Sequence, residues 1–281
     1  MNINWYPGHM KKTKDLLREN LKLIDIVIEL LDARIPVSSK NPDIDKIIND
    51  KPKLVLMNKS DLSNEKANEA FREHFRQEGK KVLFINSQDP KTTNRVIKEV
   101  NNILEDRIKQ QKERGIKNAA VRAMIVGIPN VGKSTLINTL AGRKGAQTGN
   151  RPGVTKGKQW IKLKGNIELL DTPGILWPKF EDQEVAMNLA FTGAIKDEIL
   201  DIETLGLRLI EKLNSIDREI LEDRYGIEIN EEDSGLEIMD RIAQKRGFVM
   251  KNREIDYTRT ANTVLDEFRK GILGKITLDT I

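Results

Sequence analysis

The stretch GIPNVGKST, Gly127 to Thr135, leaves this chain little choice of fold. It has the spacing G-x-x-x-x-G-K-[ST] and follows an apolar run, Val121 to Val126, that reads as a buried strand. Backbone N–H groups of such a loop turn inward around phosphate oxygens, and the helix expected from Lys133 adds its positive N-terminal dipole. Asn130, Val131, Gly132, Lys133, Ser134 and Thr135 are therefore the expected phosphate-binding residues, with Lys133 reaching the outer phosphates and the Ser134 hydroxyl ligating magnesium. A glycine-rich turn before an ordinary helix is the plainer alternative, disfavoured because lysine and serine both stand where a phosphate site needs them.

The flanking sequence alternates. Strand candidates at Ile24 to Leu31, Lys53 to Met57 and Lys81 to Ile85 are separated by helix candidates at 42–49 and 64–79, and a long helix is expected over 92–114. Two further strands should flank Gly165-Asn166. The pattern predicts an α/β domain with a mostly parallel sheet. After Trp177-Pro178 the periodicity turns helical, so residues 1–178 are read as the nucleotide-binding domain and 179–281 as an all-helical domain.

Composition narrows the partners. The 281 residues contain no cysteine, which excludes thiol chemistry, disulfides and cysteine-ligated zinc. No apolar run approaches a membrane span and the first residues lack a signal-peptide core, so a cytoplasmic protein without a membrane partner is expected. Residues 1–178 hold 33 Lys and Arg against 20 Asp and Glu, a net of +13, whereas 179–281 hold 15 against 23, a net of −8. From Arg143 to Lys164 there are seven basic residues and no acidic one. With the basic segments Lys11 to Lys22 and Arg241 to Lys275, this suggests RNA recognised by shape and phosphate contacts.

Asn58-Lys59-Ser60-Asp61, at a strand end, fits a base reader. Guanine presents a ring N–H and an exocyclic amine side by side, and the Asp61 carboxylate can accept both; adenine has no such edge. Asn58 would brace the phosphate loop and Lys59 would lay its stem over the base. Asp171, in Asp171-Thr172-Pro173-Gly174, is placed to hold magnesium through water, and the Gly174 N–H to meet a γ-phosphate. Thr155 is the expected second magnesium hydroxyl, with Thr148 and Thr135 as nearby competitors.

These motifs stand in an unusual order, the base reader ahead of the phosphate loop, which resembles the circularly permuted GTPases. Together with Trp5 to Met10 (WYPGHM) and Asp32 to Pro36 (DARIP), they resemble ribosome biogenesis GTPase A. The resemblance implies a GTP- and magnesium-dependent hydrolase that binds the large ribosomal subunit, rRNA and ribosomal proteins rather than DNA, docking with GTP and leaving after hydrolysis. It implies that Asn86 and Ser87 contact the guanine carbonyl and that Asn130 helps hold potassium. Ile175 stands where Ras-type enzymes carry a water-orienting glutamine, and the family supplies a histidine from the N-terminal segment, here His9, as a catalytic group beside Lys133 and Gly174. A structural role for His9, and a GTP-sensing RNA scaffold that does not hydrolyse, remain alternatives.

Overall fold

The computed structural model describes residues 10–115, 120–142, 160–177, 180–251 and 253–281. The chain forms two compact units that divide at 179/180, each with its own core.

In the first unit six strands make one sheet: β1 (Ile26–Asp32), β2 (Lys53–Asn58), β3 (Val82–Phe84), β4 (Val121–Gly127), β5 (Trp160–Leu163) and β6 (Ile167–Leu170). Their order is β3-β2-β1-β4-β6-β5, parallel throughout except for the β5–β6 pair. That exception follows from Gly165 and Asn166, whose φ of 75° and 60° turn the chain straight back on itself. Every residue of β1 is buried, as a central parallel strand covered on both faces requires. In register, Asp32 lies beside Asn58, and Leu30 beside both Leu56 and Gly127. The carboxyl ends of β1, β2 and β4 thus meet at one edge, where open α/β sheets bind ligands.

Helices α1 (Met10–Leu21), α2 (Pro42–Ile48), α3 (Glu65–Gln77), α4 (Lys91–Ile103), α5 (Glu105–Glu113) and α6 (Lys133–Ala141) surround this sheet. The single helix expected over 92–114 is two. Its buried face runs through Val96 and Val100 to Leu104, where φ −102° and ψ 14° leave helical geometry, and α5 beyond buries nothing. With no apolar stripe to hold it, the second segment is free to take its own direction.

The second unit contains α7 (Gln183–Phe191), a 3-10 turn at Asp197–Ile199, α8 (Ile202–Ile216), α9 (Glu219–Tyr225), α10 (Gly235–Arg246) and α11 (Tyr257–Lys270). Leu205, Leu209 and Leu213 of α8 and Ala261, Val264, Leu265 and Phe268 of α11 are among its fully buried side chains. A lone antiparallel bridge, Val249 to Ile255, joins α10 to α11. None of the described helices is long and apolar enough to cross a membrane.

Candidate functional site

Asn58 occupies the centre of the site. Its side chain, with no solvent exposure, donates from Nδ2 to the Val131 carbonyl at 2.7 Å and accepts at Oδ1 from the Ser87 N–H at 2.9 Å. One amide therefore ties the Asn58–Asp61 loop after β2 to the phosphate loop after β4 and to the loop after β3. Ser87 is also held from α6, its carbonyl accepting from the Thr139 hydroxyl at 2.6 Å. Asn86 closes a turn by accepting from the Gln88 N–H at 2.8 Å, and its own carbonyl takes the Thr92 hydroxyl at 2.8 Å.

Lys59 adopts a φ of 59° and reaches back over the phosphate loop, donating to the Asn130 carbonyl at 3.1 Å and to Asp32 at 2.9 Å. Burial lowers the affinity of this ammonium for its proton, an effect that Asp32 opposes and Arg34 reinforces. Asp32 is itself buried and takes the Arg34 guanidinium in a fork, Nε at 3.0 Å and the terminal nitrogen at 2.8 Å. Burial alone would raise the Asp32 pKa, but the two cations overcome it and hold the carboxyl well below the usual carboxylate range. Asp61, one turn beyond, is exposed and open to a ligand.

On the phosphate side Gly132 takes φ 102° and α6 starts at Lys133. The Lys133 ammonium, buried inside the loop, donates to the carbonyls of Gly127 at 3.1 Å and Ile128 at 2.8 Å. Burial pushes its pKa down to about 8, against the pull of Asp171. The Asp171 carboxyl is raised by burial, with Lys133 acting in the opposite direction. Gly174 passes so close to the loop that a Cβ there would sit 2.8 Å from the Pro129 nitrogen and 3.0 Å from Lys133 Nζ. The chain is held at that approach by Ile175, whose N–H donates to the Gly127 carbonyl at 3.1 Å. Ser134 and Thr135 are half-buried in the first turn of α6, and Val131 is buried beneath the loop.

Residues 122–236 match a family described as "50S ribosome-binding GTPase". Ribosome biogenesis GTPase A of Bacillus pumilus is 46% identical over 282 residues, an alignment that covers 99% of this chain and 99% of that protein. The chain belongs to the ribosome biogenesis GTPase A family. Two solved structures of YlqF from Thermotoga maritima, one GDP-bound and one GNP-bound, are 27% identical with TM-scores of 0.66; they cover 94% and 95% of the chain and are themselves covered over 98% and 97% of their length. As a member of this family the chain is a GTPase with the phosphate-loop fold in permuted order, because the segment that begins with the phosphate-loop strand leaves β1 to β3 and the Asn58–Asp61 reader ahead of it.

Within this family member the structure brings together Asn58, Lys59, Asn86, Ser87, the whole phosphate loop, Asp171 and Gly174 at one edge of the sheet. His9 and Thr155 lie outside the described residues, as does most of the basic run that begins at Arg143. Sequence reading missed two contributors, Asp32 and Arg34, which were visible only as part of a motif. Part of the basic segment from Arg241 to Lys275 is paired within the second unit. Arg241 is paired with Asp233, Arg246 lies near Glu267, Arg269 holds Asp197, and Lys270 holds Asp266.

Proposed function

We propose that this GTPase hydrolyses GTP as an assembly factor of the large ribosomal subunit, docking on rRNA and ribosomal proteins with GTP and leaving after hydrolysis. The observation that carries the nucleotide part is the Asn58 side chain, which binds the base-reading and phosphate loops into a single unit. Asp61 reads the two guanine donors, the Lys59 stem covers the base, and Ser87 and Asn86 approach the guanine carbonyl. Lys133 moves from the loop carbonyls to the outer phosphates, where its charge offsets that of the leaving group. The Gly174 N–H faces the γ-phosphate. The partner rests on the names of the relatives and on the basic balance of residues 1–178.

Magnesium fits the donor set. Among the described residues no three His, Cys, Asp or Glu side chains converge, so an ion here would rest on the Ser134 hydroxyl, Asp171 and phosphate oxygens, with Thr155 completing the set. When bound it would neutralise charge on the β- and γ-phosphates. Asn130, with φ 57° at the loop's tip, is the proposed potassium ligand, supported only by the family resemblance.

The Ile175 side chain is a buried hydrocarbon with neither donor nor acceptor, so it cannot orient a water. The attacking water must be positioned by a group from elsewhere, and His9 is the proposed one. Co-sedimentation of the full chain with each purified ribosomal subunit separates the partners. Binding to large subunits that is strong with a GTP analogue and weak with GDP supports the proposal; nucleotide-independent binding, or preference for the small subunit, overturns it.

A further inference from the structure

Asn41 stands between β1 and α2 and plays no part in the contacts attributed above to nucleotide. Its side chain is 1% exposed and uses both ends of its amide. Oδ1 accepts from the Asp43 N–H at 3.0 Å and so caps α2, while Nδ2 donates to the carbonyl of Ile175 at 3.1 Å, across 134 positions of sequence. The cap is local and ordinary. The second bond is not, because Ile175 is the residue directly after Gly174.

The backbone of Ile175 is consequently held from both sides. Its N–H is given to the Gly127 carbonyl at 3.1 Å, its carbonyl is taken by Asn41, and its side chain is buried. Gly127 is also where Lys133 rests, at 3.1 Å. Two fixed points immediately after Gly174 determine where the Gly174 peptide can lie. The anchor of Asn41 is itself firm. The Asp32 N–H donates to the Ser39 hydroxyl at 3.1 Å, the Ser39 N–H reaches the Ile35 carbonyl at 2.9 Å, and Asp43 pairs with Lys14 of α1 at 2.5 Å.

We infer that Asn41 is a positioning residue for GTP. By holding the Ile175 carbonyl it keeps the Gly174 N–H aimed at the place of the γ-phosphate before nucleotide arrives, so that GTP binding and turnover do not have to order this backbone themselves. GDP has no γ-phosphate and gains nothing from that arrangement. Asn41 thus contributes to discrimination between GTP and GDP rather than to nucleotide binding in general. This rests on the reading of the pocket as a GTP site.

Asn41→Asp separates the two bonds, since a carboxylate keeps the cap acceptor but cannot donate to a carbonyl. Asn41→Ser provides a second variant that also retains a capping oxygen. The expected result is a loss of GTP-analogue affinity of about tenfold, the size of one buried hydrogen bond, with GDP affinity changed by less than about twofold and kcat reduced in parallel. Equal losses for GDP and GTP analogue, or no loss in a variant with unchanged melting behaviour, overturn the inference. If the unaltered chain binds neither guanine nucleotide, the GTP-site reading itself has failed; if it binds both and the variants discriminate as well as it does, only the role of Asn41 has.

Discussion

At the scale of single residues, the site is organised by buried charge. Lys133 illustrates how. Its pKa of about 8 lies below that of an ordinary lysine because burial disfavours the ammonium. An arriving phosphate reverses the balance, so the bound state takes up a proton that the free state loses above pH 8. Guanine-nucleotide affinity should therefore be flat below pH 8 and fall by about tenfold per unit above it, an outcome that titration calorimetry in buffers of different ionisation enthalpy would register as proton uptake. Asp32 works in the opposite sense. Its depressed pKa means stability that is present above about pH 4 and lost as pH falls further, because protonation breaks its pairs with Arg34 and Lys59. Asp32→Asn removes the carboxylate that takes the buried Arg34 guanidinium in a fork and should lower the unfolding free energy of the first unit by about 3 kcal/mol in a denaturant titration. It should weaken GDP binding too, because Lys59 loses the group that holds it over the loop. Unchanged stability with unchanged GDP binding would remove Asp32 from the account.

At the scale of elements, the sheet and its loops were legible and the helix boundaries less so. Each parallel strand announced itself by a short apolar run, and the motif residues sat at strand ends, where register then brought Asp32, Asn58 and Gly127 to one edge. The break at Leu104 was not legible, since a run of polar helix formers such as 105–113 reads the same whether or not it continues its neighbour. Asn41 was hidden for a different reason. Its partner Ile175 is remote in sequence, and a single backbone carbonyl as acceptor has no pattern to betray it. In the helical unit a close approach of two helices is equally unmarked. A Cβ at Gly206 of α8 would lie 2.4 Å from the Cβ of Ala261 in α11. Gly206→Ala should destabilise that unit by about 1–3 kcal/mol despite its better helix propensity, seen as a lowered thermal midpoint. A gain in stability instead would mean that α8 and α11 do not approach as described.

At the scale of the whole molecule, the order of the motifs matters more than their presence. The chain enters the second unit a few residues after Gly174, with no strand between them among the described residues. The family assignment and the fold agree on a GTPase, and Arg241, Arg246, Arg269 and Lys270 each have a carboxylate of the second unit beside them. The proposed RNA contact would then draw on the first unit as well, and its salt dependence should be steep. The measurement that bears most directly on the account is phosphate release from GTP by the full chain, alone and with each purified ribosomal subunit. Slow release alone, accelerated by at least about tenfold on large subunits and not on small ones, is the predicted result. Release that is absent under every condition, or that is indifferent to the large subunit, would contradict it.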